Sequence, residues 1–263
     1  MQILVAALLS ASLALAASRT DAAGEQLITN YNIPLWEPGK VPLAQGNGPL
    51  DAPFLTVFMP PEGKRNGGSV VIAPGGSNIM LMYGAEGMNI AERYNDWGVA
   101  AFVLTYRLAP RYNDDARIAD AKRAIELVRS RAAEWKLDPH KLGFIGFSAG
   151  SSLARLLGAH GEGASRPDYL GLVYGPGHAT PGESLKDFPP TFLLSAAHDP
   201  GAAYGSAQLW TDLTRAGATA ELHIYQKGHH GFGDAYGNPI YGDWMGRLQN
   251  FLRQGGFLPG GKQ

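Results

Sequence analysis

From residue 54 onward the chain alternates short, almost continuous apolar runs with stretches whose apolar residues recur every three or four positions. Runs of the first kind predict buried strands, and stretches of the second kind predict amphipathic helices. Strands are expected at "FLTVFM" (54–59), "SVVIA" (69–73), "VAAFVLTY" (99–106), "KLGFIGF" (141–147), "YLGLVY" (169–174), "TFLLSAA" (191–197) and "AELHIY" (220–225). Helices are expected over 84–97, from 148 to about 159, over 203–216 and over 243–254, the last with Trp244, Leu248, Phe251 and Leu252 on one stripe. The clearest helix carries Ile118, Ala121, Ile125, Val128, Ala132 and Trp135 at helical spacing, with Asp114 or Asp115 placed to cap it. Upstream, Pro34, Pro38, Pro42, Pro49 and Pro53 forbid a regular helix or a central strand and predict an extended lead-in across the surface.

Strands alternating with helices, and strands apolar on both faces, predict an α/β protein: a mostly parallel sheet covered by helices on both faces. Residues 175–190, between two successive strands, leave little room for an inserted lid, so no large cap domain is expected.

Composition narrows the function classes. The 263 residues are 45% hydrophobic, enough for a full core. A net charge of −1 without a basic cluster argues against a nucleic-acid surface. Having no cysteine, the chain cannot use disulfides, thiolate catalysis or cysteine-ligated zinc. Met1 to Ala17 is apolar and small but short for a membrane span, and Ala14-Leu15-Ala16 offers an A-x-A cleavage site. The expectation is a signal peptide over 1–16, a Pro-rich lead-in over 17–53 and a catalytic domain over 54–263, giving a secreted or periplasmic protein without stable membrane insertion. No Lys or Arg precedes the apolar run, which leaves a buried N-terminal helix as the alternative.

In such sheets ligands bind beyond the carboxyl ends of the strands. There "GFSAG" delivers Ser148 between Gly146 and Gly150 on a sharp strand-to-helix turn, with the helix N–H groups aimed at any developing negative charge. The same spacing also suits an ordinary N-cap serine. A nucleophilic serine needs a base and a carboxylate that orients it. Asp199 in "HDP" lies just past one strand end, and His229 and His230 in "KGHHGFGD" follow the last strand. His140, His160 and His223 lie at a strand start, a helix end and inside a strand, and His178 precedes any suitable acid. The order Ser148, Asp199, His230 is that of the serine hydrolases with a strand-turn-helix nucleophile. "APGGSN" ends an earlier strand, where the N–H groups of Gly76 and Ser77, with that of Ala149, could form an oxyanion hole.

On these blocks, together with "EG" (86–87), "AAFVLTYRLAP", "DAKRAIELVRSRAAEWKLDPHKLGFIGFSAG", "PPTFLLSAAHDP" and "HIYQKGHHGFG", the chain resembles α/β-hydrolase esterases over roughly residues 54–254. It is similar to the group between hormone-sensitive-lipase-like enzymes and secreted acetyl-xylan or feruloyl esterases. The resemblance implies the α/β-hydrolase fold, Ser148 as nucleophile, Asp199 as orienting acid and His230 as base, the last aligned with the family's G-H-G-F block. It also implies a structural, pocket-shaping role for Tyr106–Pro110. Four positions depart from the family: Ser77 in place of a glycine, Ser151-Ser152 in place of Gly-His, His198 in place of an acid, and Gly201-Ala202-Ala203 in place of a Val-rich run. All four touch the pocket.

The expected function is hydrolysis of short acyl esters, acetyl foremost, on plant-wall carbohydrate such as xylan, with no cofactor and no metal. Lipase or peptidase action on the same residues, or a silent carbohydrate-binding member of the fold, are the alternatives. A metal site at His198, Asp199, His229 and His230 is disfavoured because adjacent histidines point apart. Tyr83, Tyr174, Tyr204, Tyr236 and Trp210 could stack on sugars, with core packing the expected role of Trp210 and the alternative for Tyr174.

Overall fold

The computed structural model describes residues 30–175, 177 and 185–260. The expected signal segment, His178 and half of the 175–190 stretch lie outside the described residues. Eight strands form one sheet: β1 (Tyr31–Pro34), β2 (Phe54–Phe58), β3 (Ser69–Ala73), β4 (Ala100–Thr105), β5 (Leu142–Phe147), β6 (Tyr169–Val173), β7 (Thr191–Ala196) and β8 (Ala220–Tyr225). Their spatial order is β1-β2-β4-β3-β5-β6-β7-β8. Only β1 and β2 run antiparallel to their neighbours. The carboxyl ends of β3, β5, β6, β7 and β8 therefore open on the same edge.

Period-two alternation divides the side chains between two cores. On one face Val71, Phe102, Phe144 and Leu172 pack with α2 (Asp114–Ser130), the short α3 (Ala132–Trp135), α4 (Ala149–His160) and α5 (Pro200–Arg215). On the other, Val70, Ile72, Ile145 and Phe147 meet α1 (Asn89–Asp96) and α6 (Trp244–Gln254). Both faces are covered, as continuously apolar strands require.

Several boundaries differ from the expectation, each for a local reason. The Pro-rich lead-in contributes β1 to the sheet, but as an edge strand, where Pro34 needs no ladder partner. The cap of α2 is Asn113, not Asp114 or Asp115: its Oδ1 accepts from the Ala116 N–H, and the two aspartates occupy the first turn. The long helix breaks at Arg131, and α3 closes on Lys136 in the left-handed region at φ 57°. The expected helix over 84–97 begins as a π-helical turn, Gly84–Met88. α5 starts three residues earlier than periodicity suggests because Asp199 caps it and Pro200 opens it, a pair readable in "HDP".

Arg107, just after β4, fastens the lead-in to the body. Its guanidinium and that of no other described residue meets the fully buried Asp120 of α2, Nη2 to Oδ1 at 2.8 Å and Nε to Oδ2 at 2.9 Å. Nη1 donates to the Pro42 carbonyl at 2.6 Å and Nη2 to that of Ala116 at 3.1 Å. Every polar group of this buried pair thus has a partner, which is the condition for tolerating charges without water. Truncating Arg107 strands the Asp120 carboxylate. Arg107→Ala should lower the unfolding free energy by about 3–5 kcal/mol in urea titration, whereas a loss under about 1 kcal/mol would show that the pair is dispensable.

Candidate active site

β5 ends in Phe147, and the chain turns at once into α4. Ser148 sits at the turn with φ 52° and ψ −116°, a conformation that a side chain adopts only under constraint. Small neighbours make the turn possible. A Cβ on Gly146 would lie 1.9 Å from the Gly150 carbonyl oxygen, and one on Gly150 would lie 2.0 Å from that of Ala73. Glycine is therefore obligatory at both flanks of the serine. The Ser148 N–H is held by the Val173 carbonyl at 2.9 Å, which ties the turn to β6.

The structure brings Ser148, His230 and Asp199 together. Ser148 Oγ is 2.7 Å from His230 Nε2, and His230 Nδ1 is 2.5 Å from Asp199 Oδ2. With Asp199 as acceptor, the proton of a neutral imidazole belongs on Nδ1, leaving the Nε2 lone pair for the serine hydroxyl. Asp199 is mostly buried, and His230 is about half exposed. The other carboxylate oxygen, Oδ1, accepts from the Ala202 N–H and so caps α5. One residue thus terminates β7, starts α5 and faces the imidazole. His229 turns away: it is exposed, and its ring lies 5.2 Å from that of His198. Among the described residues no group of three or more His, Asp or Glu is arranged to hold a metal ion.

Beyond β3, Gly76 (φ 128°), Ser77 (φ 56°) and Asn78 (φ 61°) follow one another with positive φ. The serine that replaces a family glycine thus takes the left-handed conformation itself. A Cβ on Gly76 would lie 2.3 Å from the Met80 carbonyl oxygen, so the loop folds back tightly on itself. The N–H groups of Gly76 and Ser77 have no acceptor among the described residues, and the Ala149 N–H, first in its helix, has none within α4. The family-derived role of Tyr106–Pro110 has a physical counterpart: the buried Tyr106 hydroxyl donates to the Pro74 carbonyl at 2.8 Å, and the Ala109 N–H donates to that of Asn78 at 2.7 Å.

Sequence reasoning gave no role to Glu86, which is buried behind this loop. Its Oε2 accepts from the Gly75 N–H at 2.7 Å and its Oε1 from the Tyr174 hydroxyl at 2.8 Å. Of the aromatic side chains expected to stack on sugars, Tyr204 and Tyr236 are exposed. Tyr174 is fully buried and Tyr83 donates to Thr56. Trp210, expected in the core, is instead 38% exposed, because α5 carries it beside the edge strand β8, where its Nε1 donates to the Ala220 carbonyl at 3.1 Å. Ile79, Met80 and Met82 are exposed next to the Gly76–Ser77 loop, an apolar margin the sequence reading did not single out.

With this geometry in view, the relatives are informative. An acetyl ester-xyloside bifunctional hydrolase from Caldicellulosiruptor lactoaceticus superposes with a TM-score of 0.77 at 28% identity, over 87% of this chain and 97% of that one. The chain has the α/β-hydrolase fold. The family model described as BD-FAE matches residues 55–169 of this chain. An acetylxylan esterase of Xylanibacter ruminicola is 26% identical over 73% of the chain, and endo-1,4-beta-xylanase B of Butyrivibrio fibrisolvens is 29% identical over 39%. The chain spans only 44% and 17% of those two proteins. A propionate-bound esterase from Thermogutta terrifontis shares the fold, with a TM-score of 0.68 at 22% identity over 80% of this chain and 92% of that one.

Proposed function

We propose that the protein is a serine esterase that removes short acyl groups, acetyl foremost, from plant-wall carbohydrate such as xylan. The observation that carries this reading is the unbroken relay from Ser148 Oγ through His230 to Asp199. Ser148 attacks the ester carbonyl carbon while His230 Nε2 takes its proton, and Asp199 stabilises the imidazolium. The carbonyl oxygen, now negative, accepts from Gly76, Ser77 and Ala149 N–H groups. The intermediate collapses, the alcohol leaves with the proton from Nε2, and the acyl group stays on Ser148. A water, deprotonated by the same nitrogen, then releases the acid. The cycle closes on the chain's own residues.

Secretion is part of the proposal: residues 1–16 serve as a cleaved signal, 17–53 as lead-in and 54–263 as catalytic domain. Among the described residues no helix is long and apolar enough to cross a membrane. The acetyl-xylan preference draws on the activities of two relatives, the acetylxylan esterase and the acetyl ester-xyloside hydrolase.

Ser148→Ala should abolish hydrolysis of aryl acetates with little change in melting temperature, since alanine fits the turn. His230→Ala should lose several orders of magnitude in kcat, and His229→Ala far less. The opposite ranking of the histidines would refute the assignment of the base.

Acyl length gives a second test. Each methylene buried in an apolar channel would add about 0.8 kcal/mol of binding. The apolar side chains at the mouth, Ile79, Met80 and Met82, lie on an open margin, and Leu185 and Phe188 of the β6–β7 connection are buried in the core. kcat/KM along an aryl-ester series should therefore be highest for acetyl and fall for octanoyl and longer chains. A maximum at octanoyl or beyond would place the activity with the lipases.

A further inference from the structure

Glu86 is 3% exposed and belongs to no part of the relay, yet it sits between the two loops that would supply the oxyanion donors and the base. On one side it takes the Gly75 N–H at 2.7 Å. Gly75 itself is wedged against the turn that carries Ser148: a Cβ there would lie 2.7 Å from Ser148 Cβ, 2.6 Å from the Phe147 carbonyl oxygen and 2.7 Å from Glu86 Oε2. On the other side Glu86 takes the Tyr174 hydroxyl, whose oxygen in turn accepts from the Gly233 N–H at 3.1 Å. Gly233 is in the His230 loop, and its carbonyl is held by Trp244 Nε1 of α6 at 3.1 Å. The Tyr174 ring meets that of His230 edge-on, with centroids 5.1 Å apart, and that of Phe232 at 4.6 Å. Burial, and after it the neighbouring Glu86 carboxylate, hold the Tyr174 phenol well above its ordinary pKa, so it remains a donor.

The strain of the β3 loop explains why such a tether matters. Ser77 and Asn78 have φ of 56° and 61°, a conformation that persists only where the surroundings over-determine it. Hydrogen bonds to a carboxylate are among the stronger ones, and a fully satisfied buried network is rigid. Fixing the Gly75 N–H anchors the Pro74–Gly75 peptide plane, immediately before the two planes that carry the Gly76 and Ser77 N–H groups.

We propose that Glu86 and Tyr174 are positioning residues that hold the Gly75–Ser77 loop and the His230 loop in mutual register. The oxyanion donors and the base are thereby set by one buried carboxylate, without either residue touching the substrate. This inference rests on the esterase reading, which the wild-type protein tests alone.

The experiment compares Glu86→Gln, Tyr174→Phe, their double variant and Glu86→Ala, with active sites counted by an organophosphate. A misplacement of reacting groups by about 1 Å can cost 10²-fold, so Glu86→Ala should lose roughly 100-fold in kcat and Tyr174→Phe roughly 10-fold. KM should stay within about threefold, because ground-state binding is not what changes. Glu86→Gln should retain more activity than Glu86→Ala, since its amide oxygen can still accept from Gly75. The double variant should be little worse than the worse single one, as expected of a shared network. Glu86→Gln and Tyr174→Phe are near-isosteric, so the inference stands or falls on them if Glu86→Ala does not fold. A second readout needs no substrate. In 15N spectra, Glu86→Gln should move the His230 ring signals and Tyr174→Phe the Gly76 and Ser77 amide signals, although neither residue bonds to the groups observed. Unchanged signals, multiplicative losses, or a KM effect at constant kcat would overturn the proposal.

Discussion

The close approach of three backbone segments at the end of β5 is the constraint on which the site depends. Gly146 and Gly150 nearly touch across the turn, and Gly150 lies against the last residue of β3, so α4 must leave the sheet at one place and in one direction. Any side chain at either glycine would push the helix off the strand. Ser148 consequently takes an unfavourable backbone conformation whose cost is met by the packing of the whole central sheet. The turn leaves the hydroxyl only half-buried, beyond the end of β5.

The remaining groups are placed by the parallel sheet. β3 and β5 are neighbours, which puts the Gly76–Ser77 loop beside the serine. β7 and β8 are neighbours farther along the same edge, which puts Asp199 and His230 within reach of each other. The histidine loop then crosses back over β5 and β6, and its return is fixed by Gly233, Tyr174 and Trp244. The arrangement converts three strand ends distant in sequence, those of β5, β7 and β8, into one line of hydrogen bonds. Arg107 plays a different part: it closes the far edge of the domain by joining Asp120 to the lead-in at Pro42.

Much of this was legible because the signals are local. Apolar runs mark the strands, and the G-x-S-x-G spacing marks the turn. The Asp and the His pair each follow a strand on the expected edge. The choice of His230 over His229 came from resemblance rather than from periodicity, since two adjacent residues share one local pattern. Local signals also misled: Asp114 and Asp115 have capping chemistry, yet Asn113 occupies the position from which the Ala116 N–H is reached. β1 escaped notice because prolines argue against central strands and say little about an edge. The link between Glu86 and Tyr174 escaped for a deeper reason. They are 88 residues apart, and the sequence offered one only as part of the "EG" block and the other only as a face for sugar stacking. Only their meeting in space gives them a shared role.

The central claim is that Ser148 is the group that becomes covalently acylated. The most direct measurement is the intact mass and peptide map of the protein after treatment with an excess of a fluorophosphonate. This reagent forms a stable adduct only where an activated hydroxyl faces an oxyanion site. The account predicts one adduct per chain, located on Ser148 by fragmentation of the peptide 142–155, and none in Ser148→Ala. An unlabelled wild-type protein, or an adduct on Ser77, Ser151 or Ser152 in place of Ser148, would contradict it.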